Sequence, residues 1–230
     1  MKTIRTQISD QLYITGIGDG PDTSFDASPS PDGLPAANDL RAWVERYWLC
    51  GWVVVPLGPN RTPLSPWSHY RAPDDYPSEY DKDTVRWDRD QTWHRRAHGV
   101  GMLPEFSRAV CVDVDVPIED AQAHLATVLG VEIPDADLAH AVVRTRSGRC
   151  HLWYSWPDGP PPNLSVEQAA ALGCPSVEIK GQGQCVPLPP SKTGDGAYTW
   201  HRPPIPRAPE ITEGLPPAPR WVRELAGETS

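Results

Sequence analysis

From Leu40 onward, apolar side chains recur at i, i+3, i+4, i+7 and i+8: Leu40, Trp43, Val44, Tyr47 and Trp48 form one helical stripe. Asp39 stands at the capping position, and Gly51 closes the pattern. Trp52-Val53-Val54-Val55-Pro56-Leu57 then runs without a polar residue, as a buried strand does. Val110 to Val116 is a second apolar run, broken only by Asp113 and Asp115. Ala141–Thr145 and Cys150–Trp156 predict a strand pair joined by the turn Arg146-Ser147-Gly148-Arg149. Short strands are predicted at Gln11–Ile17, Gly99–Met102, Val177–Lys180, Cys185–Leu188 and Ala197–Trp200. Helical patterns cover Asp83–Trp93, Ile118–Leu129 and Ser165–Leu172, with a last turn at Trp221–Leu225. In the third of these Ser165 is the cap and Gln168 holds the capping-box position.

Helices interspersed with hairpins predict an α+β fold, a mixed or antiparallel sheet with helices packed on one face. Residues 1–37 read as an arm and a linker rich in Pro, Gly and Ser. Residues 38–202 make the compact domain, interrupted by a proline-rich loop over 58–80. Residues 203–230 are a proline-rich tail able to form a short helix.

Composition narrows the class. At 230 residues, with 39% hydrophobic and 22% charged positions, the chain is long enough for one sizeable core. Its 28 prolines cluster in loops, while ten tryptophans need a core to bury them. No run approaches the ~20 apolar residues of a membrane span, so no membrane partner is expected. Met1-Lys2-Thr3-Ile4-Arg5 lacks the apolar stretch of a signal peptide, and a cytoplasmic location is expected. Five cysteines without a Cys-x-x-Cys pair predict reduced thiols. Cys150, His151, Cys174 and Cys185 are too irregularly spaced for a zinc centre, and no zinc is expected. A net charge of −9 argues against a sequence-independent DNA clamp, although Arg95-Arg96 and Arg144, Arg146 and Arg149 are local basic groups.

Three stretches carry candidate chemistry. On a strand, Asp113 and Asp115 share one face, with Val112, Val114 and Val116 on the other. Same-face carboxylates repel unless a cation lies between them, and a divalent metal is the usual solution. Taken alone, Asp-x-Asp is also common on solvated strand edges. Glu178 and Lys180 share a face of the strand Val177–Lys180, where the bland alternative is an exposed ion pair. A lone histidine such as His151 is more often a satisfied polar group than a ligand. Here it follows Ser147, Gly148 and Arg149, which supply the N–H groups, hydroxyl and guanidinium that hold a phosphate.

In order along the chain, these stretches resemble the catalytic domain of bifunctional primase-polymerases, within the archaeo-eukaryotic primase superfamily. The resemblance runs from about Leu40 to Trp200. Gly51 to Leu57, then Arg61-Thr62-Pro63-Leu64 and Trp67, resemble the family's opening strand and loop. Trp93 and Gly99-Val100-Gly101 resemble the segment before the catalytic strand, and Val112-Asp113-Val114-Asp115 its paired carboxylates. Thr145 to Tyr154 resembles the histidine motif, in the form Ser-Gly-x-x-His. Val177-Glu178-Ile179-Lys180-Gly181 stands at the third acid, and Leu188-Pro189-Pro190-Ser191 and Gly196 to Trp200 at the closing turn and strand. There are departures. Glu178 replaces the usual Asp, Arg149 a frequent Gly and Arg61 a common Lys, and Lys192-Thr193-Gly194 follows the Pro-Pro-Ser turn where a histidine is frequent. No zinc stem, helicase domain or helical accessory domain is recognisable, which makes primer extension a firmer expectation than de novo priming.

The resemblance implies an RRM-like catalytic core that performs template-dependent nucleotidyl transfer in the replication of a bacterial, phage or plasmid element. It implies two Mg²⁺ or Mn²⁺ ions on Asp113, Asp115 and Glu178, and nucleotide contacts from Ser147, Arg149, His151 and Lys180. The implied partners are single-stranded or primed DNA, an NTP or dNTP, and a helicase or accessory helical domain in the same or a separate chain. Trp153 or another exposed aromatic would stack on a base or on the template. Two alternatives remain open: a non-catalytic nucleic-acid or nucleotide-binding replication module, and a metal-dependent nuclease or phosphohydrolase using the same acids.

Overall fold

The computed structural model describes residues 34–36, 39–64, 97–138, 141–193, 196–204 and 215–228. The expected strand Gln11–Ile17, the helix Asp83–Trp93, Trp67 and Arg95-Arg96 lie outside the described residues.

Helix α1 (Leu40–Leu49) starts where Asp39 Oδ1 accepts the Ala42 N–H at 2.9 Å. It buries Trp43, Val44 and Tyr47, and Gly51 reverses the chain in the left-handed region at φ 74°. The apolar run after it pairs as β1 (Val54–Leu57) only from Val54. Trp52 still donates its N–H to the α1 carbonyl of Tyr47, and Val53 donates to Ser107 Oγ. β2 (Gly99–Met102) follows, and then the short α2 (Pro104–Ser107), which the sequence pattern did not predict.

β3 (Ala109–Pro117) is the longest strand among the described residues. α3 (Ala121–Leu129) begins later than the expected Ile118, because Asp120 N–H closes a turn onto the Pro117 carbonyl. A 3-10 turn (Asp135–Leu138), β4 (Ala141–Arg144) and β5 (Arg149–Ser155) come next. α4 (Val166–Ala171) carries the predicted capping box: Ser165 Oγ accepts the Gln168 N–H, and Gln168 Oε1 accepts the Ser165 N–H. β6 (Val177–Lys180), β7 (Val186–Leu188), β8 (Lys192–Thr193), β9 (Gly196–Ala197), β10 (Thr199–Arg202) and α5 (Arg220–Leu225) complete the order. The expected strand Ala197–Trp200 is split, because Tyr198 donates its N–H to Ser191 instead of to a ladder.

The molecule is α+β. One open sheet has the order β10-β4-β5-β3-β6, a second β1-β2-β7, and β8 pairs with β9; all these strand pairs are antiparallel. On the larger sheet, Val110, Val112 and Val114 face one way and pack with Leu152, Tyr154, Val177 and Ile179. α3, α4 and α5 cover that face with Leu125, Ala169, Trp221, Val222 and Leu225. The opposite face is buried along part of its length. Ala109, Cys111, Val143 and Trp153 pack there against α1, Trp52 and the smaller sheet. That second core ends at Cys111, so the next outward positions on β3, Asp113 and Asp115, meet an opening. No helix of the described residues is long and apolar enough to cross a membrane.

Trp153 corrects one expectation. It is 1% exposed and lies 6.0 Å from the Trp52 ring inside the second core, so it cannot stack on a base.

Candidate active site

Strand register assembles the site. Asp113 is the cross-strand partner of His151 on β5 and of Glu178 on β6, so the three stand in one row across three strands. Lys180 pairs with Cys111, one row back on the same face. The two carboxylates of β3, the acid of β6 and the histidine of β5 therefore converge because their strands are neighbours, although β6 lies far along the sequence.

The electrostatics are dense. Lys180 Nζ donates to Asp113 Oδ2 at 2.7 Å and lies 3.2 Å from Glu178 Oε2. The Arg149 guanidinium pairs with Asp115 Oδ1. His151 Nε2 is 3.6 Å from Asp113 Oδ2, a close electrostatic contact longer than a hydrogen bond. Burial pushes the Asp113 carboxyl up, but His151 and the Lys180 ammonium outweigh it and hold the group well below the usual carboxylate range. For Lys180, burial works against the charge and Asp113 more than restores it, so the ammonium stays above its ordinary value. Burial first, and then the Asp113 charge, raise the Cys111 thiol behind them.

The turn before β5 supplies the other predicted groups. Gly148 takes φ 84°, which lets its N–H return to the Thr145 carbonyl, and Thr145 Oγ1 lies 3.1 Å from Ser147 Oγ. β9 leans on this turn so closely that a Cβ on Gly196 would stand 2.6 Å from Arg146 Cβ. The His151 side chain is 4% exposed, and its Nδ1 has no hydrogen-bond partner among the described residues.

Two clefts flank the acids. The larger, ≈ 400 Å³, is lined by Asp113, Asp115, Ser147, Arg149, His151 and Lys180, together with Arg61, Thr145, Arg146, Pro187 and Tyr198. The smaller, ≈ 220 Å³, contains Glu178 and shares Asp113, Asp115 and Arg149. All seven predicted site residues thus line one connected region. Sequence reasoning gave no role to Arg61 or Tyr198. Arg61 comes from the smaller sheet's loop at φ 62°, its Nη1 lies 3.4 Å from the Tyr198 hydroxyl, and the Tyr198 ring is 5.9 Å from His151. The sequence placed Tyr198 only inside the expected closing strand Ala197–Trp200, with nothing to mark it as a site residue.

Among the described residues, no three acids, histidines or cysteines are grouped so that they could hold a metal ion as they stand. The donor set nevertheless fits a hard divalent ion held in an open site. Asp113 is held toward its charged form, all three donors are carboxylate oxygens lining the smaller cleft, and Mg²⁺ commonly takes one or two carboxylates and completes its shell with phosphates and water. Such an ion would replace the Lys180 ammonium between Asp113 and Glu178. The four residues of the discarded zinc set lie apart: Cys150 and Cys174 are in the helix-side core, Cys185 packs near Val53 and Phe106, and His151 lines the larger cleft.

The family model described as bifunctional DNA primase/polymerase, N-terminal, matches residues 44–221. No curated protein matches the chain.

Proposed function

The chain belongs to the bifunctional DNA primase/polymerase family, and from that premise we propose that it extends a primer on a DNA template by nucleotidyl transfer at Asp113, Asp115 and Glu178. One observation carries this reading: the two acids of β3, with Glu178 the cross-strand partner of Asp113 on β6, stand beside a cleft whose other lining is basic and hydroxyl-bearing. Asp113, Asp115 and Glu178 would hold Mg²⁺ or Mn²⁺, which supplies positive charge to the attacking 3′-hydroxyl and to the leaving pyrophosphate. Arg149, Lys180, His151 and Ser147 bind the triphosphate in the larger cleft, with Arg146 beside them. Arg61 and Tyr198 line the same cleft. Fixed placement and preorganised charge supply most of the rate in phosphoryl transfer, and strand-borne side chains suit that task. We place the activity in replication of a bacterial, phage or plasmid element, alongside a helicase or helical accessory domain in the same or a separate chain.

The test is incorporation of labelled nucleotides on single-stranded DNA, with and without a primer, in Mg²⁺ and in Mn²⁺. Asp113→Ala and Asp115→Ala should lose extension by at least about a thousandfold with unchanged circular dichroism. A folded, active double variant would remove the acids from the mechanism.

A second reading, a non-catalytic nucleotide-binding module, draws on the fact that Lys180 and Arg149 already neutralise the acids. Mn²⁺ titration with nucleotide present separates the two, since a purely binding site has no use for the ion.

A further inference from the structure

β6 carries Lys180, yet it is only four residues long and stands at the edge of the larger sheet, with β3 on one side. So short an edge strand frays unless its outer side is tied down. The segment 161–164 ties it. Leu164 and Ile179 exchange both backbone hydrogen bonds, at 3.0 and 2.9 Å, and the Pro161 carbonyl accepts the Gln182 N–H at 3.0 Å. Asn163 adds two bonds from its side chain. Gly181 donates its N–H to Asn163 Oδ1, and Asn163 Nδ2 donates to the Gln182 carbonyl, each at 2.7 Å. A backbone N–H only donates and a carbonyl only accepts, so this pair of bonds fits the amide in one orientation. The packing is tight: a Cβ on the buried Gly181 would run into the Pro161 and Pro162 carbonyl oxygens. From the other side of the turn, Glu105 Oε2 accepts the Gly183 N–H at 3.1 Å.

At this turn the chain crosses from one sheet to the other. β6 ends at Lys180 in the larger sheet, and β7 begins at Val186 in the smaller one. Lys180 and, on β7, Pro187 both line the larger cleft. The path over 181–185 therefore sets how far apart these two parts of the lining stand. Asn163 lines neither cleft, so it acts on a bound nucleotide only through the strand it holds.

We infer that Asn163 is a positioning residue: its amide fixes the Gly181–Gln182 step and so holds Lys180 at the place, and at the distance from Pro187, that a nucleoside triphosphate in the larger cleft requires. The inference rests on the nucleotidyl-transfer reading for the identity of that ligand. Removing the amide leaves the buried Gly181 N–H without its acceptor, a cost the turn relieves by drawing away from 161–162 toward water. Lys180, the residue before Gly181, moves with it. A cation displaced by even an ångström loses hydrogen-bond geometry to a phosphate, and misplacement on that scale is felt in binding and rate.

Steady-state extension by the full chain is compared for wild type, Asn163→Ala, Asn163→Asp and Ser165→Ala, which removes the neighbouring α4 cap and serves as the control. Asn163→Ala should raise the nucleotide KM about tenfold and leave the primer–template KM within about twofold. Asn163→Asp keeps an acceptor for the buried Gly181 N–H, while the exposed Gln182 carbonyl turns to water, and it should recover most of that loss. Ser165→Ala should lower the thermal midpoint comparably to Asn163→Ala and leave both KM values unchanged. A wild-type nucleotide KM in Asn163→Ala, or an equal rise in Ser165→Ala, would overturn the inference, since the second result reports general loosening. Hydrogen exchange read by mass spectrometry supplies an answer that needs no activity. In Asn163→Ala the amides of 177–184 should exchange about tenfold faster, with those of 149–155 on β5 unchanged. If wild type incorporates nothing, the polymerase reading fails by itself, and the exchange still decides whether Asn163 holds β6: equal rates at 177–184 in the two proteins would sink it.

Discussion

The ammonium of Lys180 donates a 2.7 Å hydrogen bond to Asp113 Oδ2, so in the free protein a side chain occupies the position between the β3 and β6 acids. Glu178 Oε2 lies 3.2 Å from the same nitrogen. A divalent ion entering there must displace it. Lys180→Met should therefore tighten Mn²⁺ binding to the nucleotide-free protein, by about tenfold or ~1.4 kcal/mol, while it weakens triphosphate binding. Mn²⁺ titration followed by electron paramagnetic resonance reads the first effect directly. Unchanged or weaker Mn²⁺ binding in the variant would show that Lys180 does not compete for the acids.

The same contact makes stability depend on acid. Asp113 titrates below its unfolded value, near ~3.9, because His151 and Lys180 outweigh the effect of burial. Between its folded pKa and ~3.9 the unfolded chain binds more protons than the native one. The stabilisation is thus complete above the unfolded value and is lost as pH falls through the folded one. In chelator, the urea midpoint of wild type should drop steeply below about pH 4, and Asp113→Asn should flatten that limb. Parallel limbs for the two proteins would mean that other carboxylates dominate acid unfolding.

Much of this site was legible in the sequence because β-strand periodicity is strict. Once Val110–Val116 is read as a strand, Asp113 and Asp115 must share a face, and a turn ending at Arg149 must place His151 just inside the next strand. The capping box of α4 was legible for the same reason, since Ser165 and Gln168 interact within one turn. What escaped depends on contacts between distant segments. Nothing near Trp153 shows that α1 and the smaller sheet bury its face of the larger one. Nothing near Arg61 shows that its loop reaches Tyr198 across the cleft. Nor does a Glu-x-Lys pattern on β6 reveal that the lysine turns to an aspartate on β3 instead of to water.

The Pro-Pro-Ser turn ties the smaller sheet to the site through Ser191. Its buried hydroxyl accepts the Val100 N–H and donates to the Val100 carbonyl, each at 2.9 Å. Ser191→Ala should cost about 1–3 kcal/mol, the range for leaving buried polar groups unsatisfied. Gly99 sits so close that an added Cβ would stand 2.7 Å from Ser191 Cα, a backbone atom that cannot rotate away. Gly99→Ala should therefore destabilise by a further margin beyond the usual ~1–3 kcal/mol of overpacking, because two chain segments must separate. Urea unfolding of both variants checks the order, and a Gly99→Ala protein as stable as wild type would contradict the close approach.

Glu178 invites a charge-against-reach comparison at one position. Its carboxylate is the cross-strand neighbour of Asp113 and sits at the edge strand β6, where an arm one methylene longer is tolerated. Glu178→Gln keeps the length and removes the charge, whereas Glu178→Asp keeps the charge and shortens the arm. If the acid serves as a charged ligand, primer extension should fall about 10²–10³-fold in the Gln variant, the size of effect seen when one preorganised electrostatic group is removed. The Asp variant should stay within about tenfold of wild type, with its loss reduced at higher Mn²⁺ concentration as weaker ion binding is saturated. Neither change should alter the thermal midpoint much, because Glu178 is only partly buried and its contact with Lys180 is open to water. Equal activity in the Gln variant and wild type would reduce Glu178 to a solvated partner of Lys180 and leave the chemistry to the two aspartates of β3.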